Sequence, residues 1–151
     1  EHFSVNGKEQ IDFLFSANLG SDFRPINKVA SGGEMSRIMV SIKSILSQFK
    51  QLPSIVFDEI DTGVSGTVSS EIGNIMSNMS KNMQVFTITH LPQVAAKGKQ
   101  HFKVYKEVRG NTTITKLKKL NQDERINELA QMLSGEELTR TALDHARQLL
   151  N

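Results

Sequence analysis

A chain of 151 residues with a hydrophobic fraction of 38% can bury one real core but not comfortably two, and a net charge of +2 does not by itself call for nucleic acid. With no cysteine, disulfide frameworks and thiolate metal sites are excluded, which suits a reducing cytoplasm. No apolar run approaches the roughly 20 residues needed to span a bilayer and no signal-peptide pattern is present, so a soluble protein is expected. The sequence opens at Glu1 in mid-pattern without an initiator methionine, as an excised part of a longer protein would.

Residues 10–18 (QIDFLFSAN) place Ile11, Phe13, Leu14 and Phe15 between polar neighbours and predict a strand. Asn6-Gly7 is a turn signal, and residues 3–5 could form a hairpin partner. Lys8 follows Gly7, but no glycine-rich loop ending in Lys-Ser or Lys-Thr surrounds it, so this chain has no Walker A motif. Residues 20–28, with Arg24-Pro25, read as a loop feeding the next helix.

That helix is the centre of the chain. Across residues 29–49 (VASGGEMSRIMVSIKSILSQF), apolar side chains at Met35, Ile38, Met39, Ile42, Ile45, Leu46 and Phe49 recur at helical spacing and predict one buried face. Ser31 and Glu34 have the form of a capping box, so the helix starts at Gly32 or Gly33. Its first N–H groups, at the positive end of the helix dipole and approached through glycines, suit an anion such as phosphate. A well-capped core helix with no ligand explains the same residues equally well.

After Gln51-Leu52-Pro53, residues 54–57 predict a short apolar strand that delivers Asp58-Glu59 at its C-terminal end, where α/β sheets bind ligands. One carboxylate of such a pair can hold Mg²⁺, often through water, and the other can orient an attacking water. Capping of the following helix is the plain alternative. Residues 61–66 (DTGVSG) form a glycine-rich turn, with Ser65 as N-cap of a helix burying Val68, Ile72, Ile75, Met76 and Met79. The methionines are core filler. Lys81-Asn82 closes this helix, and residues 83–89 (MQVFTIT) predict a second strand ending at His90. Strand, helix and strand together predict a parallel pair. His90 can sense phosphate, or it is simply a polar residue leaving the sheet.

Leu91-Pro92 starts a short helix that Lys97-Gly98 ends. Residues 102–108 and 112–120 flank Gly110-Asn111 as a hairpin. Lys97, Lys99, Lys103, Lys106, Arg109, Lys116, Lys118 and Lys119 cluster there. Such a cluster can follow DNA phosphates, but lysines on a solvated strand face also block edge pairing, and that reading is preferred. Two final helices separate at Ser134-Gly135, burying Ile126, Leu129, Ala130 and Leu133 in one and Leu138, Ala142, Ala146, Leu149 and Leu150 in the other, with His145 at the surface or boundary. His2, His101 and His145 have no ligand spacing, and neither repeats nor coiled-coil heptads occur.

The order of these parts resembles the C-terminal lobe of ABC-type ATPases. Ala30-Ser31-Gly32-Gly33-Glu34 is similar to the signature motif, residues 55–59 to Walker B with its catalytic glutamate, and His90 to the switch histidine. The longer strings SGGEMSRIMVSIK, VFDEIDTGVSG and THLPQVAAKG resemble the head domain of the RecN family, SMC-like bacterial DNA repair ATPases. The resemblance implies an α/β fold: a mainly parallel sheet flanked by helices, with a β-hairpin and two C-terminal helices. Residues 1–151 would form one domain, the C-terminal half of a split head, with the Walker A lobe and the coiled coil lying elsewhere.

In such a family two heads sandwich ATP. Ser31, Gly32, Gly33 and Glu34 would face the γ-phosphate held by the opposite head, Asp58 would support Mg²⁺ through water, Glu59 would be the general base, and His90 would contact the γ-phosphate in cis. Two departures from the wider ABC pattern stand out. Ala30 and Glu34 occupy signature positions where transporters usually have leucine and glutamine, and Ser65 fills the D-loop position that is usually aspartate, which leaves its trans role open. The implied cofactors are ATP and Mg²⁺. Implied partners are the N-terminal lobe of the same protein, a second head in a homodimer and double-stranded DNA or DNA ends, with no membrane. The implied function is ATP binding and hydrolysis by head engagement during recombinational repair of double-strand breaks in the bacterial cytoplasm, associated with the nucleoid. The isolated chain would be inactive. Alternatives are a nucleotide-independent DNA-binding or dimerisation module working through the hairpin, and the lobe of another SMC-like ATPase.

Overall fold

The computed structural model describes residues 5, 7–8, 11–16, 19–29, 31–50, 52–58, 60–61, 63–64, 66–135 and 137–151. The hairpin expected around Asn6-Gly7 involves residues outside this set. Of the strand expected over residues 10–18, a two-residue β1 (Leu14–Phe15) is present, paired antiparallel with β2 (Arg24–Pro25). The loop expected over residues 20–28 therefore contains a strand and also a single-turn helix, α1 (Ile26–Val29). Pro25 has no N–H to lend the ladder, which limits β2; the pairing continues only through the Ile26 N–H donating to the Phe13 carbonyl at 3.0 Å.

Helix α2 (Gly32–Phe49) starts where the capping box predicts. Its apolar stripe is covered only in part. Val40 is its buried residue, whereas Met39, Ile45, Leu46 and Phe49 are exposed, Phe49 at 80%. The periodicity is helical as expected, but the expected burial is not met: Met35, Ile38 and Ile42 are half-buried and none of the seven stripe residues is fully buried. Val40 points the other way, toward α3 (Thr67–Met79), and joins Phe57, Val64, Ile72, Met76, Met79, Met83 and Val94 in the first core cluster.

The crossover from β3 (Ser54–Asp58) through α3 to β4 (Gln84–Ile88) makes a parallel pair in register from Ser54↔Gln84 to Asp58↔Ile88. Side chains alternate across this pair as its pleat requires: Phe57 is buried beneath the helices, while Val56, Phe86 and Ile88 face outward and are about half exposed. Among the described residues the parallel sheet holds these two strands. The N-cap of α3 is Gly66 at φ 60°, one position beyond Ser65, and Val68 is exposed rather than buried. Helix α4 (Pro92–Lys97) follows β4 and crosses α3 at Gly73, where an added Cβ would meet the Lys97 Cγ at 3.0 Å and the Gln93 carbonyl oxygen at 3.3 Å.

Strands β5 (Phe102–Arg109) and β6 (Thr112–Lys119) form the expected hairpin, closed by Gly110-Asn111 with Gly110 at φ 61°. Asn121 and Glu124 cap α5 (Gln122–Ser134) by a second capping box, and Thr139 caps α6 (Arg140–Leu150). Leu138 precedes α6 and is exposed, contrary to its expected burial. Leu129, Ala130, Ala142 and Ala146 pack with Ala96 of α4 into the second core cluster. Small residues at the contact let these helices approach closely. The Arg125 guanidinium ties α5 to the end of α4 by donating to the carbonyls of Ala96, at 2.7 Å, and Gly98. No helix among the described residues is long and apolar enough to cross a membrane.

Candidate functional site

Two places in this fold carry the residues singled out by sequence. The first is the start of α2. The Glu34 N–H donates to the Ser31 Oγ at 3.3 Å, and the Ser31 N–H donates to the Glu34 carboxylate at 2.7 Å. The Ser31 backbone N–H, and after it the Ser31 side chain, hold the Glu34 carboxyl below the usual range, because hydrogen bonds to the carboxylate favour its charged form. Ser31 and Gly32 are exposed, and a Cβ on Gly32 would meet no heavy atom within 4 Å. Packing inside the chain therefore does not require a glycine there.

The second place is the C-terminal edge of the parallel pair. Because β3 and β4 run in the same direction with Asp58 opposite Ile88, both chains leave the sheet side by side. Asp58 is exposed there, and no hydrogen bond or ion pair engages its carboxylate among the described residues. Such an oxygen donor suits Mg²⁺, which takes one or two carboxylates and completes its shell with water and phosphate oxygens. On β4's side Thr89 and His90 emerge. Glu59, Ser65 and Ala30 lie outside the described residues.

Asp61 is the residue that sequence reading missed. It was absorbed into the glycine-rich turn, yet its side chain is 1% exposed, the one buried carboxylate among the described residues. The Thr89 hydroxyl donates to its Oδ2, and the Thr89 oxygen in turn accepts from the Leu91 N–H at 3.0 Å. Among the described residues Asp61 Oδ1 has no hydrogen-bond partner, and it lies 3.5 Å from His90 Nδ1. An unsatisfied buried acceptor costs about 1–3 kcal/mol, so this atom is a strong pull on the nearby imidazole. The available signal was a third acidic residue in Asp58-Glu59-Ile60-Asp61, too close to a strand end for ordinary solvated turn chemistry to be assumed. The structure thus joins Asp61, Thr89 and His90. No hydrogen bond or ion pair among the described residues links Ser31 or Glu34 to Asp58 or His90.

Four of the eight basic residues of the hairpin cluster are paired with carboxylates of the hairpin and α5. Lys103 pairs with Glu128, Lys118 with Glu124 at 2.5 Å, and Lys116 and Arg109 share Glu107. Lys116 and then Arg109 push the Glu107 carboxyl below the usual range; Lys118 and then the Asn121 backbone do so for Glu124, which raises Lys118 reciprocally. The His101 imidazole is pushed down by burial and by the Arg125 charge, and its Nδ1 has no hydrogen-bond partner among the described residues.

No family model matches the chain. Its architecture is similar to the Smc head domain with a coiled coil and joint from Pyrococcus yayanosii, at TM-score 0.63 and 21% identity over 76% of this chain and 21% of that one. A second similar structure comes from work on ATP-driven dimerization and DNA-stimulated activation of SMC ATPases, with TM-score 0.58 and 20% identity over 78% of this chain and 70% of that one. The fold is that of an SMC ATPase head, in its α/β C-terminal lobe. Over 149 residues the chain is 41% identical to the DNA repair protein RecN of Halalkalibacterium halodurans, covering 99% of this chain and 26% of that protein. It is 44% identical over 144 residues to the DNA repair protein RecN of Bacillus subtilis, covering 95% and 25%. Over nearly its whole length the chain is similar to these RecN proteins, and it spans about a quarter of the length of the curated relatives it matches.

Proposed function

We propose that this chain supplies the C-terminal lobe of an ATPase head that binds and hydrolyses ATP by engaging a second head, in the repair of DNA double-strand breaks. The observation that carries this reading is the shared edge of β3 and β4, where the exposed Asp58 has no hydrogen-bond or ion-pair partner among the described residues and stands beside the strand that leads to His90. The relatives named DNA repair protein RecN support the setting, and the SMC ATPase structures support ATP as the driver.

Each side chain then has a task suited to its chemistry. From the opposite head, the Ser31 hydroxyl and the N–H groups of Gly32 and Gly33 donate to γ-phosphate oxygens, aided by the helix dipole, while Glu34 holds the helix start in shape. Asp58 offers its carboxylate to Mg²⁺ through water; the ion, when bound, offsets charge that builds on the phosphate oxygens as the terminal phosphoryl departs. Glu59 takes a proton from the attacking water. His90 donates a hydrogen bond to the γ-phosphate in cis. Ser65 stands at the D-loop position of the sequence, with a hydroxyl where an aspartate is more usual.

This lobe works with an N-terminal lobe of the same protein carrying Walker A and with a second head in a homodimer, and the whole protein acts on double-stranded DNA or DNA ends in the bacterial cytoplasm. Without a Walker A motif the isolated chain turns over no ATP. The test is ATP hydrolysis by this chain alone and after mixing with a separately made Walker A lobe, with Glu59→Gln as control. Activity only in the mixture, lost in the variant, is expected. Turnover by the pure chain, or an inactive mixture in which both parts are folded and associated, refutes the assignment.

A further inference from the structure

Nothing in the proposed ATPase reading uses Asp61, although it is the most deeply buried acid described. Its surroundings define what it can do. Thr89 Oγ1 is already an acceptor for the Leu91 N–H at 3.0 Å, so its own proton is directed to Asp61 Oδ2. That contact fixes the plane of the carboxylate and leaves Oδ1 shielded from water, without a hydrogen bond among the described residues, 3.5 Å from His90 Nδ1. The His90 side chain is itself 67% exposed. One edge of the ring therefore meets a fixed, dry acceptor while the other stands in solvent, where a ligand could reach it.

We propose that Asp61 is a positioning residue for His90: Oδ1 takes the Nδ1 proton as a hydrogen bond, which fixes the ring and turns Nε2 outward toward the γ-phosphate. When Nε2 also carries a proton to donate to phosphate, the buried carboxylate offsets the charge of the imidazolium. This inference rests on the reading of His90 as a phosphate contact. The link also gives that contact a mechanical consequence. Asp61 follows β3 and His90 follows β4, so the ring's orientation depends on the turn after Walker B staying in place.

The substitution Asp61→Asn tests the link because Thr89 dictates how an amide must sit. The Thr89 proton requires the amide oxygen at the Oδ2 position, so the NH₂ group faces His90 Nδ1 and demands the opposite tautomer. The measurement is solid-state NMR of the full-length protein with ¹⁵N-labelled histidine at about pH 8.5, above the range in which free imidazole titrates, with His90→Gln used to assign the signal. The expected result is Nδ1–H for His90 in the unmodified protein and Nε2–H in Asp61→Asn. ATP turnover is measured on the same proteins. Asp61→Asn is expected to lower kcat by about tenfold or more with KM for ATP nearly unchanged, and to cause no further loss in a His90→Ala background, as groups acting as a unit do.

An Nε2–H tautomer in the unmodified protein overturns the inference without any variant, so a misfolded Asp61→Asn protein leaves it decidable. Equal and additive losses in the single and double variants overturn it as well, since they assign Asp61 a purely structural role. If instead the tautomer is Nδ1–H but His90→Ala hydrolyses ATP normally, the phosphate reading of His90 fails, and Asp61's part in turnover fails with it.

Discussion

Replacing Ser31 by aspartate as well as by alanine separates the two tasks assigned to its hydroxyl. As N-cap, the Ser31 Oγ accepts from the Glu34 N–H at 3.3 Å. Ser31→Ala deletes that acceptor, which costs about 1 kcal/mol and raises hydrogen exchange of the first-turn amides on the order of fivefold. Aspartate caps a helix as well as serine does, so Ser31→Asp is expected to keep those amides protected. The phosphate task behaves oppositely. A hydrogen bond to a charged group is worth about 1.5–3 kcal/mol, so losing the donor in Ser31→Ala lowers ATP turnover by about 10- to 150-fold. Ser31→Asp removes the same donor and adds a negative charge facing phosphate, so it is expected to be at least as inactive while its helix stays intact. Hydrogen exchange read by mass spectrometry and steady-state hydrolysis, both on the full-length protein, give the two readouts. Turnover by Ser31→Asp within about threefold of the unmodified protein refutes the phosphate contact, taking a factor of three as roughly 0.6 kcal/mol. Exchange in Ser31→Asp as fast as in Ser31→Ala refutes the capping argument.

Leu129 is fully buried between α4, α5 and α6, so Leu129→Ala should destabilise the fold by about 2–5 kcal/mol in denaturant unfolding; a loss under about 1 kcal/mol means the second core does not support the domain. Gly73→Val drives a side chain into the Lys97 stem and the Gln93 carbonyl, and the backbone atom has little room to yield. A loss of about 1–3 kcal/mol is expected from this overpacking, and an unchanged midpoint contradicts the close α3–α4 approach. His101, whose folded state resists protonation because it is buried beside Arg125, makes stability depend on pH. Its folded pKa lies below the ordinary value of 6.5, so the unfolded chain binds more protons in that window and stability falls as pH drops below it. His101→Gln should flatten that slope in thermal unfolding between about pH 7 and pH 5, and an unchanged slope assigns the acid loss to other groups.

Local structure was legible from the chain because it follows from short-range rules. The Ser31–Glu34 box, the Gly110-Asn111 hairpin and the apolar period of α3 depend on hydrogen bonds and steric limits that act over a few residues, and each occurs where it was expected. Pro25 is an exception of the same kind: its effect on β2 is local, but the pairing that reveals it joins two separate segments. Burial is another matter, since it is set by whatever lies opposite. The α2 stripe has helical spacing, yet Val40 is the side chain that enters the core and Phe49 stays in solvent, because α3 packs on only one side of the helix. Asp61 shows the same division at the candidate site. Sequence established a carboxylate in a glycine-rich turn after Asp58, and a histidine at the end of the next strand. Only the parallel register of β3 and β4, bringing together Asp61 and Thr89 from 28 positions apart in sequence, buried the carboxylate and set it against His90. A charge pattern cannot announce such a contact, because its energy comes from water excluded by elements far apart in the chain.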